Sequence, residues 1–178
     1  VQSSRSIRLF SSSPRRFYNV EPFLKSCFPL GLNEIQFENV RGNIPTRLNK
    51  LIAAENIDGL ILAKAALDRL VLTTVPELQE TKKHLEKVLA SMNWMVLPLS
   101  ENPNAAAQGA IAIEINSHNS ELMQVLQKIN DPETFHCAEK ERLILSSYGG
   151  GCHQKIGIAY LKHPYGHVQF LKGLTNDG

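Results

Sequence analysis

The stretch that decides the fold is Ser6-Ile-Arg-Leu-Phe-Ser-Ser-Ser-Pro-Arg-Arg16. Its apolar residues predict a strand over Ser6–Ser11. The serines predict a turn into a helix that begins at Pro14, because proline is favoured at the first helical position. A segment rich in Ser and Arg with no acid before Glu21 is also typical of a mitochondrial transit peptide. We favour the strand, because the apolar run leads directly into the helix start.

The same order of strand, turn and helix is repeated along the chain. Further strands are predicted at Glu34–Val40, Gly59–Ala63, Trp94–Leu97 and Ala110–Ile115. Helices are predicted at Pro14–Ser26, Pro45–Ala54 and Glu77–Ser91. Another helix is predicted to follow the strand Gly59–Ala63 and to end at Leu70. Because strands separated by helices need crossover connections, the pattern predicts an α/β fold with a mostly parallel sheet and helices on both faces.

The pattern changes after residue 116. Two amphipathic helices are predicted at Glu121–Ile129 and Pro132–Ser146, the second with Asp131 as its N-cap. A hairpin follows, with strands at Ile156–Lys162 and His167–Leu171. We expect this part to be the start of a small α+β domain.

Composition excludes several classes of protein. The chain has 178 residues, of which 43% are hydrophobic and 20% charged, as is usual for a globular protein. A net charge of +2 is too small to indicate a nucleic-acid partner, and no apolar run has the length of a membrane span, so a soluble protein is expected. Cys27, Cys137 and Cys152 lack metal-ligand spacing, which fits a reducing compartment, and no histidine pair matches a helical metal motif.

Two features of the sequence could carry chemistry. The first is a set of arginines that follow predicted strands or lie on the next helices: Arg15, Arg16, Arg41, Arg47 and Arg69. Ligands of parallel sheets gather beyond the carboxyl ends of the strands, and arginine binds carboxylates through two hydrogen bonds. Solvated surface arginines are the alternative interpretation.

The second feature is the turn Gly149-Gly-Gly-Cys152. Three glycines let the backbone hold a thiol close to another group, and a thiolate is a strong nucleophile that can form a thioether. A structural cysteine in a glycine-rich turn is the alternative.

Several segments together resemble hydroxymethylbilane synthases (porphobilinogen deaminases). In family order they are Ser11–Arg16, Val40–Leu51, Asp58–Arg69, Ala105–Ala110, Ala138–Arg142 and Gly149–Gly157. One such match would be weak evidence, whereas this ordered series makes coincidence improbable. The resemblance implies a transferase of heme biosynthesis that condenses four porphobilinogen molecules onto a cysteine-linked dipyrromethane, with loss of ammonia.

The resemblance also implies roles for particular residues. Cys152 would carry the covalent dipyrromethane cofactor. The acetate and propionate groups of the pyrroles would be bound by Ser12, Ser13, Arg15, Arg16, Arg41, Arg47 and Arg69. The expected partner is the small-molecule substrate porphobilinogen, with no nucleic acid and no membrane. The expected compartment is the cytoplasm, with import into plastids or mitochondria left open.

The resemblance divides the chain into three parts: a second α/β lobe of a periplasmic-binding-protein-like architecture (1–100), a strand returning to the first lobe (101–119), and the start of the cofactor-carrying α+β domain (120–178). No segment matches the family's first lobe, which carries its catalytic aspartate, so we assign no catalytic residue and leave that lobe open as a partner. We expect that these 178 residues alone neither assemble the cofactor nor turn over.

Two departures from the family pattern accompany these expectations. Ala107 stands where the family has glycine, and Lys64 occupies an unusual position in its segment. An incomplete homologue that acts as a non-catalytic ligand-binding module is the alternative to the enzyme.

Overall fold

The computed structural model describes residues 6–28, 31–149 and 154–175. Cys152, Gly150 and Gly151, which belong to the predicted cofactor turn, lie outside these residues. The strands are β1 (Ser6–Phe10), β2 (Glu34–Glu38), β3 (Gly59–Leu60), β4 (Gly157–His163) and β5 (Gly166–Lys172). The α-helices are α1 (Pro14–Cys27), α2 (Ile44–Ala53), α3 (Lys64–Val71), α4 (Gln79–Ala90), α5 (Ser120–Gln127) and α6 (Pro132–Ser147).

The first three strands form a parallel sheet in the order β2-β1-β3. The register between β1 and β2 runs from Ser6 opposite Glu34 to Phe10 opposite Glu38. For this strand order, the rule of right-handed crossovers assigns α1 (between β1 and β2) and α2 (between β2 and β3) to opposite faces of the sheet. The predicted α/β fold is confirmed, and so is the strand that we favoured for the first stretch.

Local sequence explains where the helices begin. Pro14 and Pro132 occupy first-turn positions, where a missing N–H costs nothing. Asn43 and Asp131 cap α2 and α6 by accepting hydrogen bonds from backbone N–H groups. The main core lies between α2 and α4, where Leu48, Leu85 and Val88 are buried together. The chain's own helix caps and buried apolar side chains therefore stabilise the sheet unit.

The strands predicted at Trp94–Leu97 and Ala110–Ile115 are not formed, and that prediction is wrong. Their apolar side chains are exposed, with Trp94 at 72% and Ile111 at 81%. A strand needs a neighbour to satisfy its backbone groups, and no described strand lies beside either segment. The division of the chain into domains, including the segment 101–119 that returns to the first lobe, stays a prediction.

The predicted hairpin is confirmed. Strands β4 and β5 pair in antiparallel register, from Gly157 opposite Lys172 to His163 opposite Gly166, and α6 packs against β4. The segment 101–107 connects this hairpin to the sheet unit: Lys172 forms an ion pair with Glu101 at 2.6 Å, and the N–H of Ile158 donates to the carbonyl of Asn104. Among the described helices, none is long and apolar enough to cross a membrane.

Candidate functional site

The turn after β2 positions Arg47. Asn43 Oδ1 accepts hydrogen bonds from the N–H and the hydroxyl of Thr46, at 2.9 and 2.7 Å, which fixes the first turn of α2. Arg47 Nε donates to the carbonyl of Gly42 at 2.7 Å. Gly42 has a φ of 121°, and a Cβ at this position would lie 2.7 Å from Thr46 Cγ2. The Arg-Gly-Asn turn therefore holds the Arg47 guanidinium against the backbone of the turn.

The serine turn ties β1 to β2. The Ser12 hydroxyl donates to the carbonyl of Val40 and accepts from its N–H, both at 2.9 Å. The N–H of Ser11 donates to the carbonyl of Glu38. Ser13 is the N-cap residue of α1, and its side chain makes no capping hydrogen bond. In this structure Ser12 is hydrogen-bonded to the protein backbone, whereas the Ser13 hydroxyl makes no such bond to any residue that the structure describes.

Arg16 reaches across the carboxyl ends of the strands. It lies in the first turn of α1, and its Nη1 donates to the carbonyl of Ile61 at 3.1 Å, directly after β3. Burial lowers the pKa of Arg16, and the nearby charge of Arg47 lowers it further. The structure thus brings together Arg16 and Arg47, which come from two different helices.

Arg15 faces another part of the chain. Its side chain is buried, and its Nη1 donates to the carbonyl of Pro103 and to Asn102 Oδ1. Burial, followed by the charge of Arg16, lowers the pKa of Arg15 to about 10. Arg15 therefore holds segment 101–107 against α1.

Arg41 and Arg69 are both exposed. Among the described residues, neither guanidinium has a hydrogen-bond or ion-pair partner. Arg41 lies in the turn beside Arg47. Arg69 lies in the last turn of α3, five residues after Lys64, and therefore about 7–8 Å along the helix axis from the start of that helix. Arg41 therefore lies nearer than Arg69 to Arg47 along the chain. We refer to Arg16, Arg41 and Arg47 together as the arginine cluster.

The balance of charge at this edge is uneven. The ion pairs within the described residues all use lysine: Lys25–Glu21, Lys64–Asp68, Lys83–Glu80, Lys162–Glu133 and Lys172–Glu101. Within the same residues, none of the five candidate arginines pairs with a carboxylate. Arg16 and Arg47 instead donate only to backbone carbonyls, which carry no net charge. Their positive charges remain uncompensated, an arrangement that favours an anionic ligand.

Sequence reasoning missed the role of Glu141, on α6. Glu141 is buried, and its two oxygens accept hydrogen bonds from the N–H groups of Ala107 and Tyr160. A signal was present: Cys137 lies four residues before it and Ile144 three residues after it, a spacing that places Glu141 on the inner face of α6.

A histidine cluster was missed as well. The rings of His136 and His167 have centroids 5.7 Å apart, and Tyr160 stacks on His167 at 5.1 Å. These residues come from α6, β5 and β4, so their proximity depends on tertiary packing that spacing cannot show. Across the described ranges, no group of three or more His, Cys, Asp or Glu side chains could hold a metal ion.

Comparison with known proteins identifies the family. The family model described as "Porphobilinogen deaminase, dipyromethane cofactor binding domain" matches residues 2–124. The chain belongs to the porphobilinogen deaminase family. The resemblance inferred from the motifs is thereby confirmed, and the ligand-binding module that we kept as an alternative is not favoured.

Individual relatives agree with the family model. The chain is 38% identical over 125 residues to the porphobilinogen deaminase of Caldicellulosiruptor saccharolyticus, covering 70% of this chain and 37% of that protein. The chain is 32% identical over 154 residues to the porphobilinogen deaminase of Dictyostelium discoideum, covering 86% of this chain and 40% of that protein. It is 38% identical over 135 residues to that of Nostoc sp., covering 76% of this chain and 35% of that protein. The chain therefore spans between 35% and 40% of the length of these relatives.

The residues present fit the cofactor that the family model names. Each pyrrole of a dipyrromethane carries two carboxylates, and the cluster of Arg16, Arg41 and Arg47 offers guanidinium groups without carboxylate partners among the described residues. The predicted attachment point, Cys152, lies outside the described residues. Its turn is bounded by described ones: the Gln154 side chain donates from Nε2 to the carbonyl of Tyr148 at 2.5 Å.

Proposed function

We propose that this chain supplies the carboxylate-binding cluster and the cofactor thiol of a porphobilinogen deaminase (hydroxymethylbilane synthase), a transferase that condenses porphobilinogen with loss of ammonia. The observation that carries the proposal is the meeting of Arg16 and Arg47 at the carboxyl edge of the parallel sheet, without a carboxylate partner in the described residues. A substrate with two carboxylates per pyrrole matches these groups in charge and in hydrogen-bond geometry.

Cys152 is the proposed attachment point for dipyrromethane. Gly157, five residues further on, lies against α1, since a Cβ there would be 3.0 Å from Arg15 Cδ. Cys152 lies in sequence between Tyr148 and Gln154, and the Gln154 side chain donates from Nε2 to the carbonyl of Tyr148.

The work of the chain's own residues follows from their placement. Arg16, Arg47 and Arg41 bind acetate and propionate groups and hold the pyrroles in orientation, and the Ser13 hydroxyl and Arg69 are proposed as further contacts. Ser12 and Arg15 act on the same site through the backbone that they fix. A bound dipyrromethane would supply the free pyrrole carbon for the first condensation, and each later porphobilinogen would be joined to the pyrrole added before it. As carboxylates accumulate, the guanidinium groups compensate their charge.

Further parts of the proposal concern what surrounds the chain. We propose porphobilinogen as the small-molecule partner and a first lobe, matched by no segment here, as the source of the catalytic aspartate. In this division residues 1–100 form the second lobe and residues 120–178 begin the cofactor-carrying domain. A cytoplasmic location is proposed from the cysteines, of which Cys27 and Cys137 are free thiols.

Binding and mass measurements test the proposal. Calorimetric titration should show that the chain binds porphobilinogen and that Arg16→Leu and Arg47→Leu each weaken binding, whereas Arg8→Leu, an exposed arginine on β1, does not. After incubation with porphobilinogen and a first lobe taken from a relative, intact mass should show a pyrrole adduct. Cys152→Ser should lose this adduct, and Cys137→Ser should keep it. Absence of binding, or an adduct that survives Cys152→Ser, would contradict the proposal.

A further inference from the structure

Glu141 joins two separate backbone segments. It lies on α6 with 8% of its surface exposed. Its Oε2 accepts a hydrogen bond from the N–H of Ala107 at 2.6 Å, and its Oε1 accepts one from the N–H of Tyr160 at 2.8 Å. Because an ionised carboxylate accepts stronger hydrogen bonds than a neutral group, each of these contacts is worth more than an ordinary turn contact.

Both N–H groups depend on this carboxylate. Ala107 lies in a turn outside any helix or strand, and its φ of 60° is the positive value of a left-handed backbone. Tyr160 lies on β4, which pairs with β5 on one side. Its N–H points to α6 on the other side, where no described strand offers an acceptor. Glu141 thus satisfies a strained turn and a strand edge with one side chain.

The contacts of Glu141 extend to the arginine cluster. Ala107 ends the segment 101–107, in which Asn102 and Pro103 accept hydrogen bonds from Arg15. Arg15 is the neighbour of Arg16 in the first turn of α1. A continuous path of hydrogen bonds and backbone therefore runs from α6 to the helix that bears the cluster.

We propose that Glu141 is a positioning residue that fixes the unit of α6, β4 and β5 against the arginine-bearing helix α1 by clamping the backbone of Ala107. The consequence for function rests on the proposed role of Cys152, which lies in sequence between α6 and β4. The clamp itself is independent of that chemistry. Without Glu141 the two units keep their own folds, and only the remaining contacts, such as those of Ile158 with Asn104 and of Asn19 with Lys172, define their separation, which becomes less sharply fixed.

Amide hydrogen exchange tests the clamp directly. In the unmodified chain the N–H of Ala107 should exchange slowly, although it belongs to a turn. Glu141→Gln replaces one acceptor oxygen with an amide NH₂ group, and protection at Ala107 or Tyr160 should fall by roughly tenfold or more. Glu139→Gln, on the exposed face of the same helix, should leave both amides unchanged. Fast exchange of Ala107 in the unmodified chain overturns the proposal, even if Glu141→Gln fails to fold.

A distance measurement separates positioning from general stability. Spin labels on Cys27, exposed at the end of α1, and on Leu143→Cys, at an exposed position of α6, report the separation of the two units. With Cys137 and Cys152 replaced by Ser, the parent and Glu139→Gln should each give one narrow distance. Glu141→Gln should give a broadened or shifted one, with helix content by circular dichroism unchanged. An unchanged distance in Glu141→Gln overturns the proposal.

The two proposals fail separately. The labelled chain lacks the Cys152 thiol, so the distance is independent of cofactor attachment. If Glu141→Gln changes the distance but the chain does not bind porphobilinogen, this inference stands and the proposed function fails. Normal porphobilinogen binding with an unchanged distance in Glu141→Gln would do the reverse.

Discussion

Burial lowers the pKa of Arg16, on α1, and the charge of Arg47, on α2, lowers it further, although 31 positions separate the two residues in the chain. Two guanidinium groups at this proximity repel each other, and an anion between them relieves that repulsion. Their shared environment at the end of the sheet is therefore arranged for a ligand of opposite charge. This relationship gives the most direct prediction about binding.

Replacement of Arg47 by Leu should lower the affinity for porphobilinogen by about tenfold or more, since a hydrogen bond to a charged group contributes roughly 1.5–3 kcal/mol. The loss should shrink at high salt, where the charges are screened. Calorimetric titration at two salt concentrations measures both effects. Combining Arg16→Leu with Arg47→Leu should cost less than the sum of the single changes, because both residues bind the same anion. Strict additivity would argue against a shared site.

Replacement of Gly42 by Ala should destabilise the chain. The φ of 121° costs about 1–3 kcal/mol for a residue with a side chain, and the new Cβ would also collide with Thr46 Cγ2. Gly166→Ala is the matched control, because its φ is 130° and nothing lies within 4 Å of the added Cβ. Urea unfolding should give a larger loss for Gly42→Ala. Equal losses would show that the collision is relieved at no cost and that the turn is not closely packed.

Replacement of Ala107 by Gly should stabilise the chain by about 1 kcal/mol, because the left-handed conformation is unfavourable for an L-residue with a Cβ. The N–H that binds Glu141 is retained. Ala110→Gly should have the opposite sign: Ala110 lies outside the left-handed region, and glycine there only increases the entropy of the unfolded chain. Thermal and urea unfolding of both variants check the two signs. A loss of stability in Ala107→Gly would contradict the assignment of strain to this residue.

The sheet unit could be predicted from sequence because its signals are local. The apolar run at Ser6–Ser11 and the prolines at the helix starts lie within a few residues of the elements that they specify. The segments at Trp94–Leu97 and Ala110–Ile115 have equally good strand composition and form no strand. Composition measures the tendency to be extended, whereas a strand also needs a partner, which these segments lack among the described residues.

The candidate site could be predicted in part for a similar reason. The Arg-Gly-Asn turn is local, and within it Arg47 Nε donates to the carbonyl of Gly42. The direction of Arg15 depends on Asn102, 87 positions away, and Glu141 depends on Ala107, 34 positions away. A single sequence carries no record of such long-range contacts. The resemblance to a family proposed these residues as one set and did not distinguish Arg15, which bonds Asn102 and Pro103, from Arg16 and Arg47.

Arg15 is predicted to contribute to stability as well as to the site. Arg15→Met keeps most of the buried side-chain volume and removes the donors to Pro103 and Asn102, which leaves a buried carbonyl without its partner. A loss of about 1–3 kcal/mol in the free energy of unfolding is expected. Arg142→Met, at an exposed position of α6, should be close to neutral. Urea unfolding of the two variants makes the comparison, and equal small effects would mean that the Arg15 contacts contribute little.

The cap of α2 gives a prediction that separates stability from binding. Asn43 and Asn119 cap α2 and α5 through the same type of side-chain acceptor, at 2.9 and 3.0 Å. Replacing either by Ala should lower the free energy of unfolding by about 1 kcal/mol. Asn43 also fixes the turn in which the Gly42 carbonyl accepts a hydrogen bond from Arg47. Of the two variants, only Asn43→Ala should therefore weaken porphobilinogen binding. Unfolding in urea and calorimetric titration of both variants provide the measurements. If both variants bind porphobilinogen as tightly as the parent, then the turn does not position Arg47 for the ligand, because a displaced guanidinium could not keep two hydrogen bonds to one carboxylate.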